Sequence, residues 1–174
     1  MTSNAPSSPS LYESFALYGS GVTLIAVRDK EQDRFLVAAS VLTASVSPFT
    51  LAVSIGRDRD ALPAIAGGAP WTVAVLGEHH ASLVRHLTAG TTRDERLAAL
   101  IDGGAQPSRE GPLWLPDALV TFWCRTQSTA IVNDQVLVVG LVERGSGHGG
   151  GRPLMRWHRE FVSVTHLADD VPHR

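Results

Sequence analysis

The sequence predicts a mainly β protein, a barrel of mostly antiparallel strands with a few short helices at its ends. Apolar runs of strand length, rich in Val, Ile and Thr, recur at about 21–27, 35–42, 49–55, 71–76, 118–130, 135–144 and 160–166. Helical patterns are short and interrupt these runs irregularly, so the strict alternation of a parallel βαβ sheet is missing. At 174 residues, 44% apolar and 18% charged, the chain suits one sizeable core and is short for two. A single domain over 10–167 is expected, with a disordered tail at 1–9 and a short tail at 168–174. The opening "MTSNAPSSPS" lacks the charged and apolar regions of a secretory signal.

The elements follow in order. "SLYESFALYG" reads as a helix: Ser10 and Glu13 fit a capping box, Leu11, Phe15 and Tyr18 share a face, and Gly19 ends it. "GVTLIAV" is a strand, and the charged "RDKEQDR" over 28–34 reads as a solvated hairpin loop. "RFLVAASVLTASVSPFTLAVSI" (34–55) reads as two strands joined at Pro48, with hydroxyls at Ser40, Thr43, Ser45, Ser47, Thr50 and Ser54. Asp60 is placed to cap a short helix over 61–66 that Gly67 and Gly68 stop. "WTVAVL" is a strand. In "HHASLVRHL", Leu83, Val84 and Leu87 fall on one side of a helix, and "TRDERLAALI" opens with a Thr92/Glu95 capping box and closes at Gly103. A Pro/Gly-rich connection through Pro116 leads to the long closing strands.

Several chemistries are excluded by composition and spacing. A formal net charge of -2 without a basic run argues against nucleic acid or an anionic membrane as partner, and no stretch reaches transmembrane length. The single cysteine, Cys124, rules out an intramolecular disulfide and a Cys-based zinc cluster and fits a reducing cytoplasm. Flanked by bulky apolar residues in mid-strand, it reads as an inert buried thiol. Gly145, Gly147 and Gly150 match G-x-G-x-x-G, but a strand follows where the dinucleotide motif needs a helix. His79, His80 and His86 lack the i, i+4 spacing of a helical zinc pair, with only Glu78 acidic beside them, so no metal is expected. No G-x-S-x-G elbow occurs. Any chemistry is then expected to belong to a bound cofactor.

From about Leu11 to Val164 the chain resembles the flavin reductase-like family of FMN-binding split-barrel proteins, which includes the reductase components of two-component flavin monooxygenases. "YGSGVTLIAV", "RFLVAASVLTASVSPFTLAVSI", "WTVAVLGEHHASLVRHL", "DERLAAL", "LVTFWCRT", "QVLVVGLVE" and "RPLMRWHREFVSV" carry the likeness, in the family's order. The resemblance implies a split β-barrel and an NAD(P)H:flavin oxidoreductase that passes a hydride from NADH or NADPH to FMN, with FAD as the other candidate. It also implies a homodimer and a flavin-dependent monooxygenase as partner.

The family's flavin-wrapping segment matches this chain at Ala38, Ser40, Thr43, Ser45 and Pro48. The resemblance places the backbone of Val37, Ala38, Ala39, Ser40 and Val41 against the flavin ring. It points the hydroxyls of Thr43 and Ser45 at the phosphate, with Arg57 and Arg59 as its countercharge. Small side chains let backbone polar groups reach a ring edge, and a phosphate needs short donors and a cation. Phe35, Val37, Phe49 and Ala74 depart from the family pattern. Its Gly-Asp-His is here Asn133-Asp134-Gln135, which makes His158 the candidate catalytic residue on the nicotinamide side. Two other readings stay open: a flavin-binding redox carrier or sensor with little reductase activity, and a related split barrel that binds haem or a pyridoxal-type cofactor.

Overall fold

The computed structural model describes residues 11–147 and 150–165. A short helix, α1 (Leu11–Phe15), leads into β1 (Ser20–Gly21), β2 (Thr23–Asp29), β3 (Gln32–Ala38), β4 (Val41–Val46) and β5 (Phe49–Gly56). Helix α2 (Leu62–Ala66) precedes β6 (Trp71–Val75), a 3-10 turn at Glu78–His80, and helices α3 (Ala81–Thr88) and α4 (Arg93–Asp102). The small pair β7 (Gln106–Pro107) and β8 (Leu113–Trp114) is followed by the long β9 (Val120–Val132) and β10 (Gln135–Gly147), then β11 (Leu154–Trp157) and β12 (Glu160–Ser163).

Seven strands form one antiparallel sheet in the order β3-β2-β6-β9-β10-β5-β4, and β1, β11 and β12 form a second. The two outermost strands of the large sheet, β3 and β4, are consecutive in the chain and separated only by Ala39 and Ser40. Laid flat, six interstrand steps would span about 29 Å. Three residues of extended chain reach at most about 11 Å. The sheet must therefore roll until its edges nearly meet. They do not pair with each other, which leaves a barrel split at this seam.

β2 shows how the rolled sheet is filled. Its five residues Thr23–Val27 are all buried, as a continuous apolar run with both faces covered should be. Ile25 and Val27 point into the barrel, with Val53, Ile55, Ile65, Trp71, Val73 and Val138. Leu24 and Ala26 point outward beneath the helical layer, with Leu76, Val84, Leu87, Leu100 and Leu115. Period-2 alternation thus serves two cores from one strand.

Most predicted elements are present, with informative differences. α1 ends at Phe15, short of Gly19, and its predicted apolar face packs against little of this chain: Leu11, Phe15 and Tyr18 are 92%, 65% and 68% exposed. Ser10 of its expected capping box lies outside the described residues, as do both tails. The predicted 28–34 loop shrinks to Lys30–Glu31, because cross-strand pairing carries Arg28, Asp29 and Gln32–Arg34 into β2 and β3, and Lys30 turns the chain at φ 56. Asp60 does not cap α2. Its carboxylate accepts from Arg34 at 2.8 Å, and Ala61 is the N-cap, with no side-chain capping bond. Pro63, as the second helical residue, removes one N–H that a cap would serve. The Thr92/Glu95 capping box forms as predicted, and the Thr92 backbone N–H holds the Glu95 carboxyl below the usual carboxylate range. The end of the predicted 160–166 strand lies outside the described residues, and Gly145 and Gly147 are strand residues of β10.

Two buried features anchor the barrel. Gly140, beside a bulge in the β9–β10 pairing, lets the Trp71 indole pass so closely that a Cβ there would lie 2.3 Å from Trp71 Cζ2. Trp71 Nε1 donates to Thr126 Oγ1 at 3.1 Å, whose hydroxyl donates to the Ile65 carbonyl at 2.7 Å. Cys124 is buried, and burial, aided by the Glu143 carboxylate, pushes its thiol up to about 12. Gly140→Ala is expected to lower stability by about 1–3 kcal/mol, read as a drop in the thermal midpoint. Gly90→Ala, with no atom near the new methyl, should stay within about 0.5 kcal/mol of wild type. Cys124 should resist a thiol reagent at neutral pH in the folded protein and react fully once denatured.

Candidate functional site

The seam between β3 and β4 opens onto a cavity of about 780 Å³. That size lies within the range of ligand pockets. The chain from Leu36 to Leu42 forms one side of it, and Ser54, Gly56, Asp58 and Arg59 follow from β5 and the turn beyond. Gln135 and Leu137 enter from β10, and Arg156 and Arg159 from the β11–β12 hairpin. Tyr12, Phe15, Ala16 and Tyr18 add an aromatic wall from α1 and the turn after it.

The floor is built by side chain-to-backbone ties. Ser40 Oγ donates to the Ser54 carbonyl at 2.8 Å, and the Ser54 N–H returns a bond to the Ser40 carbonyl at 3.2 Å. On the other strand, buried Thr23 donates its hydroxyl to the Ala38 carbonyl at 2.8 Å. These ties hold the Ala39–Ser40 link in place without using its backbone N–H groups. Among the described residues, the N–H groups of Ala39 and Ser40 donate to no other backbone group.

The wall from α1 is fastened to the β11–β12 hairpin. Arg159 Nη2 pairs with Glu13 Oε1 at 2.9 Å, the His158 N–H donates to the Ala16 carbonyl at 2.8 Å, and Trp157 Nε1 donates to the Leu17 carbonyl at 3.1 Å. The Phe15 and Tyr18 rings stack at 5.2 Å. Among the described residues, three arginines against one aspartate make the lining net positive, and no His, Lys or Cys lines the cavity.

Of the residues singled out from sequence, Val37, Ala38, Ala39, Ser40, Val41 and Arg59 are brought together in this lining. Thr43 and Ser45 stand further along β4, either side of a bulge, and are not among the lining residues. Arg57 turns to the β9–β10 hairpin, its N–H donating to the Asp134 carbonyl at 3.0 Å and its guanidinium to the Asn133 carbonyl at 3.5 Å. His158 occupies the hairpin tip, exposed, with its ring edge-on to Trp157 rather than in the lining. Sequence reading missed Ser54, Arg156, Arg159 and the α1 aromatics as lining residues. Only Gln135 carried a signal, as the residue standing where the family has histidine.

A second cluster joins His79, His80 and Asp117. His80 is 3% exposed, and its Nδ1 accepts the Gly77 N–H at 3.1 Å. The ring proton is thereby assigned to Nε2, which donates to Asp117 Oδ1 at 3.1 Å. A metal on Nε2 would force that proton onto Nδ1, against the Gly77 N–H, the reverse of the acceptor that metal-bound imidazoles find there. The cluster is built to hold the turn into α3, with His79 Nε2 3.5 Å from Asp117 Oδ2. Among the described residues no helix is long and apolar enough to cross a membrane.

Known proteins share both the sequence pattern and the fold. The family model for the flavin reductase like domain matches residues 15–165. The chain is 30% identical over 162 residues to the NADH:riboflavin 5'-phosphate oxidoreductase of Streptomyces pristinaespiralis, covering 90% of this chain and 88% of that one. It is 28% identical over 149 residues to the reductase component of 4-hydroxyphenylacetate 3-monooxygenase of Thermus thermophilus, covering 86% and 91%. The backbone superposes on the NADH:FAD oxidoreductase SgcE6 of Streptomyces globisporus with a TM-score of 0.80 at 17% identity, covering 93% and 90%, a likeness of fold. Since that domain spans the barrel and its seam alike, the chain belongs to the flavin reductase-like family.

Proposed function

We propose that the protein is an NAD(P)H-dependent flavin reductase, with FMN or FAD held at the seam and NADH as the reductant. The observation that carries the reading is the Ala39–Ser40 link, whose unused backbone donors border a cavity of about 780 Å³. The residues present fit a flavin. Backbone N–H groups on small residues suit the polar edge of a flat ring, Leu36, Val37 and Leu137 offer apolar surface, and Arg59 offers charge for a phosphate.

When bound, the flavin supplies the redox chemistry by accepting a hydride from the nicotinamide. The chain's own contribution is binding and electrostatics. The Ala39 and Ser40 N–H groups are oriented in advance by the Ser40–Ser54 and Thr23–Ala38 ties, so they favour negative charge at the ring edge they meet without reorganising. Tyr12 and Phe15 add aromatic surface to the same cavity. With no His, Lys or Cys in the lining, the side chains act by position and charge rather than as a nucleophile or a neutral-pH base.

The name of the Thermus relative, a monooxygenase's reductase component, supports delivery of reduced flavin to a partner oxygenase. A homodimer fits the exposed surfaces. Among the described residues β9 beyond Cys124 pairs only with β10, and Ile131 and Val132 on β9 are exposed, as are Leu42 and Val46 on the edge strand β4. The single buried cysteine is consistent with the cytoplasm.

Flavin titration and nucleotide oxidation test the reading together. The purified protein should bind FMN or FAD and oxidise NADH only when flavin is present. Binding without oxidation would instead favour a flavin carrier, and failure to bind any flavin would refute both. Arg59→Met should weaken FMN about tenfold and leave riboflavin unchanged, the scale of one charge-assisted contact. A Thr43→Ala, Ser45→Ala double variant should change neither by more than about twofold, a charge-free contact at most. Selective loss of FMN in the double variant would move the phosphate end to β4.

A further inference from the structure

The three arginines of the cavity stand on two of its walls. Arg59 follows β5, on the wall made by the seven-stranded sheet. Arg156 and Arg159 stand on the three-stranded sheet, a different wall of the same cavity.

Arg159 is ion-paired to Glu13 at 2.9 Å, as several other arginines are to their own partners, whereas Arg156, among the described residues, is not. Arg34, Arg125 and Arg144 are each ion-paired within 3.0 Å. Arg156, which faces Ser20 across the β1–β11 pairing, has no carboxylate partner among the described residues. Arg159 gives Nη2 to Glu13, and its remaining guanidinium donors stay available.

The hairpin that presents them is costly for its sequence. β11 and β12 are joined by His158 and Arg159 alone, at φ 53 and φ 68. A two-residue turn with both central residues left-handed is the form that Asn-Gly adopts cheaply, whereas here both positions carry long side chains. Backbone strain of this kind clusters where a side chain must be aimed. Its result is that Arg159 lines the cavity beside Arg156.

We propose that Arg156 and Arg159 form a second anion site in the cavity, one that holds the diphosphate of the nicotinamide dinucleotide while Arg59 serves the flavin phosphate. The assignment rests on the reductase reading, because a dinucleotide co-substrate brings a diphosphate that a lone flavin mononucleotide does not. Arg156 and Arg159 are positioning residues. They take no part in the hydride step and act by docking the dinucleotide's phosphates, with the Tyr12 and Phe15 rings alongside as apolar surface.

The test uses the full chain, steady-state kinetics with NADH, flavin titration, and ADP as a diphosphate probe. Arg156→Met should raise the KM for NADH about tenfold, with kcat and the FMN Kd unchanged within about twofold. Arg159→Gly should also raise that KM without lowering the thermal midpoint, because the ease with which glycine accepts the left-handed turn offsets the lost ion pair with Glu13. A fall in affinity therefore cannot be charged to misfolding. ADP should compete with NADH on the wild-type protein and lose potency in both variants, whereas adenosine should compete with neither. If the FMN Kd rises in step with the KM, the two arginines belong to the flavin phosphate and the proposal fails. If KM and ADP inhibition are unmoved, they are surface charge only, and it fails again. Should the wild-type protein oxidise no nucleotide, the reductase reading falls by itself. ADP binding by calorimetry, with and without Arg156→Met, still decides the anion site.

Discussion

The two-residue link between β3 and β4 is the constraint on which the rest of this structure depends. Seven strands cannot lie flat while their first and last members are joined by Ala39 and Ser40, so the sheet rolls. Rolling creates an interior, and Ile25, Val27, Val53, Ile55, Trp71 and Val138 fill it. The same link prevents complete closure: six antiparallel steps leave β3 and β4 running in the same direction, and parallel neighbours cannot pair through a connection of two residues. A seam with unused backbone donors is the consequence, and the cavity is that seam.

The interior and the site are coupled through a few close approaches. Trp71 fills the barrel only because Gly140 lacks a side chain, and its indole N–H is satisfied through Thr126, whose hydroxyl bonds on to Ile65 in α2. α2 leads out of the turn that carries Arg59, so packing behind the barrel wall helps to locate a charge in front of it. Outside, the helical layer over Leu24 and Ala26 covers the second face of β2 and is tied to β3 by Arg93, which donates to the Asp33 carbonyl at 2.6 Å. The site therefore rests on a sheet wall supported from both sides. Its opposite wall, α1 on the β11–β12 hairpin, is held by three polar ties and little buried apolar surface. A firm wall facing a lightly held one suits a site through which flavin and nucleotide must pass.

Much of the fold was legible in the residues. Strand runs rich in Val, Ile and Thr marked the large sheet, the Thr92/Glu95 box marked the start of α4, and Gly103 its end. The errors share one origin: local signals lost to pairing with another strand. Asp60 has the chemistry of a helix cap, but Arg34 on β3 lies within 2.8 Å of it. The charged run over 28–34 has the composition of a loop, but cross-strand pairing extends β2 and β3 through it. Within the site, family resemblance pointed to the link and Arg59. It could not separate Arg57, turned to the hairpin at Asn133, from Arg59 in the lining.

The sequence alone determined the mainly β class, the inserted helices and the inert cysteine. These follow from periodicity, caps and side-chain size, which act over a few residues. The rolling of the sheet, the hydroxyl ties that orient Ala39 and Ser40, and the meeting of Arg59 with Arg156 and Arg159 were decided only by the tertiary structure. Those groups lie nearly a hundred residues apart in the chain, and nothing in their local sequences records that a sheet closing on itself would bring them to one cavity.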